Sequence, residues 1–285
     1  MKIIMQKKRM TAMVLIVVMS LLFALSGCSN QEKPENNEPS LSEVLLWYLS
    51  DGYTVTVTGM ETMERGVAIG FEIDNQSDRD IRVLTGELSV NGYMLPTSIL
   101  YTEVDSGETV KDTMVLTASD LAEAGIETVR KLEFNLNIFD KNTSAVICKS
   151  DLFCLKTTDS ADDIQPVDDS GDVILDANDM RVVCKGLRDD GPWNGDLVFY
   201  FENDLNKSVT VYIENVSVNG IAVDESMHVA LRAFTKCMDG LDLLKLKDLD
   251  ITETGEIRNI AFTLRVMDHD AKELANSGVI SLDFN

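Results

Sequence analysis

The stretch ELSVNGYML, residues 87–95, returns in outline as VSVNGIAV, residues 216–223, so that SVNG stands at Ser89–Gly92 and again at Ser217–Gly220. In both places apolar and polar residues alternate around Asn-Gly. A type I′ turn needs positive φ at its two central residues, and Asn-Gly supplies them at low cost. Asn91, Gly92, Asn219 and Gly220 are therefore expected to be structural turns of β-hairpins, not ligand contacts.

The shared tetrapeptide also sets a register. Shifted by 128, Phe71–Asp140 and Phe199–Asp268 share 15 identities in 70 gap-free pairs. FEIDN faces FYFEN, and VRKLEFNLNIFD faces IRNIAFTLRVMD, aligning Arg130, Phe134, Leu136 and Asp140 with Arg258, Phe262, Leu264 and Asp268. Upstream the shift is 127. Such a period is too long for a solenoid unit and is the size of a whole domain. The expected organisation is a leader over residues 1–27, a tether over 28–40, one unit over 41–158, an acidic linker over 159–171 and a second unit over 172–285.

Strand-like runs recur through both units. YTVTVTG, DIRVLTGELSV, LEFNLNIF and VTVYIENVSV carry the two-residue period of half-buried strands, separated by turn signals such as DNQSD and DKNTS. Val44–Leu49 is also read as strand, because its counterpart VILDANDM is a poor helix former. One short helix is expected per unit, at SDLAEAGI and at GLDLLKLKDLD. About seven strands per unit without βαβ alternation predict an all-β fold of two tandem antiparallel sandwiches.

The N-terminus carries the clearest functional signal. MKIIMQKKRM holds four positive charges and no acid, and the apolar run Thr11–Leu25 follows it. That run is short for a membrane span, which needs about 20 residues. A basic start, a short apolar core and small residues after it describe a secretory signal. The segment ends in Leu25-Ser26-Gly27-Cys28, which resembles the lipobox of bacterial lipoproteins. The resemblance implies a diacylglycerol on the Cys28 sulfur, recognition of Leu25, Ser26 and Gly27 by signal peptidase II, and cleavage before Cys28. It places the protein on the outer face of a bacterial cell membrane, lipid-anchored. The polar SNQEKPENNEPS that follows suits a tether. The strand pattern resembles the immunoglobulin-like extracytoplasmic domains of Gram-positive lipoproteins, although no Cys…Trp…Cys spacing of the antibody type is present.

Charge narrows the partners. Loss of residues 1–27 removes four positive charges and takes the formal charge from −23 to −27. Nucleic-acid binding rests on neutralising phosphates with Lys and Arg, so nucleic acid is not an expected partner. The acidity is read as solubility, with weak calcium binding as the sharper alternative.

The remaining chemistry is sparse. Cys148, Cys154, Cys184 and Cys237 permit disulfides, and a Cys148–Cys154 bridge is one possibility. In the repeat register Cys184 meets Val57 and Cys154 meets Leu282, so both are read as small core residues. Cys237 meets Thr109 and Cys148 meets Asn276. His228 meets Leu100. His269 meets Lys141, in an Asp268-His269-Asp270 run expected to be a solvated turn. Trp193, in the inserted loop LRDDGPWNGD, is a candidate binding anchor or an edge-packing residue. No cofactor is implied. The sequence therefore points to a non-catalytic membrane-anchored protein that contacts an envelope or extracellular protein or ligand. The alternatives are a calcium- or small-solute-binding envelope module and an envelope enzyme.

Overall fold

The computed structural model describes residues 46–49, 52–95, 99–158, 165–189, 195–243, 251 and 253–284. They belong to one compact unit, Glu38–Asn285. Leu25, Ser26, Gly27, Cys28 and Trp193 lie outside the described residues.

The chain is all-β, its strands paired antiparallel apart from one parallel pairing between the halves. Its first half runs β1 (Leu46–Leu49), β2 (Tyr53–Met63), β3 (Gly66–Asn75), β4 (Ile81–Val90), β5 (Tyr93–Met94), β6 (Tyr101–Val104), β7 (Thr109–Thr117), α1 (Ala118–Glu123), β8 (Lys131–Asp140), β9 (Val146–Lys149) and β10 (Phe153–Lys156). The second runs β11 (Asp172–Ala177), β12 (Met180–Arg188), β13 (Asp196–Asn203), β14 (Val209–Val218), β15 (Ile221–Ala222), β16 (Met227–Leu231), β17 (Thr235–Asp242), a 3-10 turn (Thr254–Glu256), β18 (Asn259–Asp268) and β19 (Glu273–Asp283).

Strand pairing repeats between the halves. The order β1-β2-β3-β7 is matched by β11-β12-β13-β17. β4 pairs with β5, β6 and β8, as β14 pairs with β15, β16 and β18. Alternate residues of each sheet point inward, as the two-residue period requires. Phe71 meets Phe134 edge-on at 6.0 Å, and Phe199 meets Phe262 edge-on at 5.6 Å. These four rings are buried, each contributing about 1.5–3 kcal/mol.

Finer features repeat too. β2 bulges between Val57 and Gly59 and β12 between Cys184 and Gly186. β4 bulges between Gly86 and Ser89 and β14 between Glu214 and Ser217. Asn75 Nδ2 donates to the Arg79, Val104 and Asp105 carbonyls, and Asn203 Nδ2 to those of Lys207, Leu231 and Arg232. The buried amide satisfies carbonyls at turns and strand ends that would otherwise be orphaned.

Register corrects several pairings expected from the gap-free alignment. Ile138 lies opposite Cys148 and Val266 opposite Ala275, so the shift there is 127. Cys154 consequently matches Ser281, not Leu282. It pairs with Glu133 and is exposed, while its neighbour Leu155 fills the core. The same one-residue change matches His228 to Tyr101 and Cys237 to Val110. Among the described residues no disulfide joins Cys148, Cys154, Cys184 and Cys237. Cys148 and Cys154 face β8 at positions five residues apart, about 17 Å. A disulfide needs its Cα atoms within about 7 Å, so that bridge does not form. Of the second expected helix, Gly240–Asp242 are the end of β17; residues 244–250 lie outside the described set.

Candidate functional site

The two halves are joined at the first SVNG hairpin. Asn91 has φ 52° and Gly92 φ 88°; Asn219 and Gly220 have φ 52° and 80°. Asn91 Oδ1 accepts from the Arg130 and Lys131 amides at 2.9 and 3.1 Å, and its Nδ2 donates to the Thr128 carbonyl at 2.8 Å. Asn219 makes the same three bonds with Arg258, Asn259 and Glu256. Among the described residues only the first hairpin does more. The Gly92 carbonyl accepts from the Lys236 amide at 2.9 Å, pairing β5 with β17 in parallel and carrying one sheet from the first half into the second.

Side chains follow that link. Met94 packs in the core of the second half, while Val183, Tyr200 and Met238 pack against that of the first. Arg232, just after β16, donates to Ser89 Oγ and lies 3.3 Å from Glu133 Oε2. The sheet face that receives the first half is apolar, with Val183, Val198, Tyr200 and Met238. The matching positions on the open face of the first half are Thr56, Gly70, Glu72 and Lys111, and Lys111 pairs with Glu72 at 3.1 Å. One sheet design is thus apolar where covered and polar where wet.

A cleft of about 300 Å³ remains at this junction. Its floor is Val198, Met238 and Tyr93, and its walls are the end of α1, Pro166–Asp168, and Lys185 with Arg188. Thr117 caps α1 by accepting from the Asp120 amide, and buried Leu121 fastens the helix to the first half. That fixes Glu123 at the cleft. Glu123 makes no hydrogen bond or ion pair among the described residues. Burial, then Asp120, Asp239 and Asp196, push its carboxyl up to about 7. On the opposite side Lys185 Nζ lies 2.8 Å from Asp168 Oδ1 and donates to the Ser170 carbonyl at 2.6 Å. Lys185 and Ser170 hold Asp168 down at about 2. Burial raises Tyr93 to about 12, leaving its phenol neutral. Gln165, from the segment expected to be a linker, donates to the Gly125 carbonyl at 2.7 Å and accepts from Asn91 Nδ2 at 3.1 Å.

A second groove of about 240 Å³ lies between β4, β5 and β16, with Met94, Ile99, Val229, His228 and Asp239. His228 stacks on Tyr212, and burial raises the Asp239 carboxyl. His269 is exposed in the β18–β19 turn, 3.3 Å from Asp270. Asp268 there accepts from Lys207 Nζ and from the Asp270 and Lys272 amides. Among the described residues no three His, Cys, Asp or Glu side chains group as metal ligands would.

Sequence reasoning missed the cleft and one strained residue. Phe234, in the β16–β17 turn, has φ 57° and is 66% exposed. Its counterpart is Gly107, φ 79°. Allowing the 127-residue shift in β6 and β7 would have exposed that substitution. The cleft left no such trace, because its walls come from α1, residues 166–168 and β12, which no local pattern connects.

No known protein family matches the sequence, and no curated protein does. Overlaps with solved structures are loose. A red sea bream transglutaminase shows 11% identity and a TM-score of 0.21, over 85% of this chain and 31% of that one. A CsuC–CsuE chaperone–tip adhesion subunit pre-assembly complex from Acinetobacter baumannii shows 9% and 0.22, over 84% and 98%. A calcium-binding mutant of Bacteroides uniformis β-glucuronidase 2 shows 8% and 0.23, over 85% and 33%. The chain spans about a third of the transglutaminase and of the glucuronidase. At these scores the overlaps carry no argument about activity.

Proposed function

We propose that this is a lipid-anchored, non-catalytic binding protein of the bacterial cell envelope, displaying two immunoglobulin-like β-sandwich halves on a polar tether. The observation that carries the reading is Leu25-Ser26-Gly27-Cys28 directly after a basic start and a short apolar run. Two acyl chains anchor a protein stably where one does not, at about 0.8 kcal/mol per buried methylene. Dense like charge keeps the anchored domain off an anionic membrane surface. The junction cleft favours a small solute as ligand, because it presents an unpaired carboxyl, cationic groups and an apolar floor in one concavity.

The test is Cys28→Ala in the native host. Wild type should take up an alkyne-tagged fatty acid and fractionate with membranes, and the variant should do neither. Unchanged mass, labelling and fractionation in the variant would overturn the anchor.

A further inference from the structure

We propose that the junction cleft binds a single small zwitterion of the amino-acid class, its ammonium group at Glu123, its carboxylate at Arg188 and its apolar part on Val198 and Met238. The proposal rests on the binding reading above and deepens it. A cleft of about 300 Å³ is at the small end of ligand pockets and suits a molecule of about ten heavy atoms. Its charge is divided. The unpaired Glu123 lies in the negative field of Asp120 on α1, Asp196 on β13 and Asp239 on β17. That field opposes ionisation of Glu123 and favours an arriving cation.

Across the cleft stand Lys185 and Arg188 of β12. Lys185 is committed to Asp168 and Ser170. A guanidinium has five donors, so Arg188 can take a carboxylate and keep another partner. A purely cationic ligand meets Arg188 and Lys185, and a purely anionic one meets the acids around Glu123. A zwitterion satisfies both walls. The ligand's side chain would cover Val198 and Met238.

The repeat adds a stoichiometric constraint. The face that matches the cleft floor in the first half carries Gly70 and Lys111, with Lys111 paired to Glu72. One chain therefore holds one site, although its fold is duplicated.

Titration calorimetry on the full chain in detergent tests this with L-leucine, isoamylamine and 4-methylpentanoate as probes. Leucine should bind one per chain, with the amine and the acid each at least about tenfold weaker, the loss of one charged contact. Glu123→Gln and Arg188→Gln should each weaken leucine at least about tenfold, with near-ultraviolet circular dichroism unchanged. Binding needs ionised Glu123, so affinity should fall as pH drops from about 8 to about 6, and binding near neutrality should release a proton. Absence of leucine heat, two sites per chain, equal affinity for isoamylamine, or an unaffected Glu123→Gln each overturns the proposal. The Cys28→Ala fractionation has its own outcome, so an anchored chain that ignores leucine defeats this inference alone.

Discussion

Glu72 and Tyr200 hold the same place in the two halves, on the outer faces of β3 and β13, and only Tyr200 is covered. Glu72 pairs with Lys111 in water; Tyr200 lies beside Met238 under the first half. The two positions should respond oppositely to exchange. Tyr200→Glu removes a buried ring and buries a charge, and should destabilise by more than about 3 kcal/mol. Glu72→Tyr, at an open face, should stay within about 0.5 kcal/mol. Urea unfolding of both variants checks this, and equal effects would refute the assignment of the covered face.

Glu123 makes stability depend on pH. Its carboxyl titrates near 7 in the folded chain against 4.5 as the ordinary value. The folded state thus prefers the protonated form. This group's stabilising contribution is full below about pH 4.5 and is lost as pH rises through about 7. Glu123→Gln should melt higher than wild type at about pH 8 and alongside it at about pH 4.5. Thermal melts across that range are the check; parallel curves would remove the effect.

Phe234 holds a left-handed backbone where Gly107 stands in the other half. A bulky residue there is strained by about 1–2 kcal/mol, and the exposed ring recovers little of it. Phe234→Gly should therefore stabilise by about 1 kcal/mol, raising Tm by a few degrees. Gly107→Phe should do the reverse. A lower Tm for Phe234→Gly would mean that the ring packs in solution.

Thiol labelling separates the cysteines. Cys154 is exposed and Cys148 partly so, while Cys184 and Cys237 are buried and burial raises both their thiols. Iodoacetamide on the folded chain should modify Cys154 first, then Cys148. Cys184 and Cys237 should react only after unfolding, because the thiolate is the reactive form. Peptide mapping by mass spectrometry reads the order, and early labelling of Cys237 would contradict the packing of β17.

Much of the all-β architecture was legible in local pattern. Alternation in YTVTVTG and LEFNLNIF became β2 and β8, and the helix at SDLAEAGI formed over Ala118–Glu123. The period failed where one-residue length changes between strands were invisible without the pairing. The gap-free register thus reads Cys154 as a core residue, whereas the strand pairing sets it opposite Glu133 and exposes it. A one-residue slip turns every side chain to the other face, which is why so small an error reverses an assignment.

By itself the sequence determined the strand class, the duplicated plan and the Asn-Gly turns, because those depend on residues near one another along the chain. It also carried Leu25-Ser26-Gly27-Cys28, whose resemblance to a lipobox is that of a linear motif. Only the tertiary structure decided that Gly92, and not Gly220, joins β17 and carries one sheet into both halves. The tetrapeptides are identical, so nothing local distinguishes them. What differs is the surface each one meets: Val183, Tyr200 and Met238 are there for the first hairpin to cover, whereas Ile221 beside the second is 54% exposed. The cleft with Glu123 exists for the same reason, since it is the space left where that docking stops.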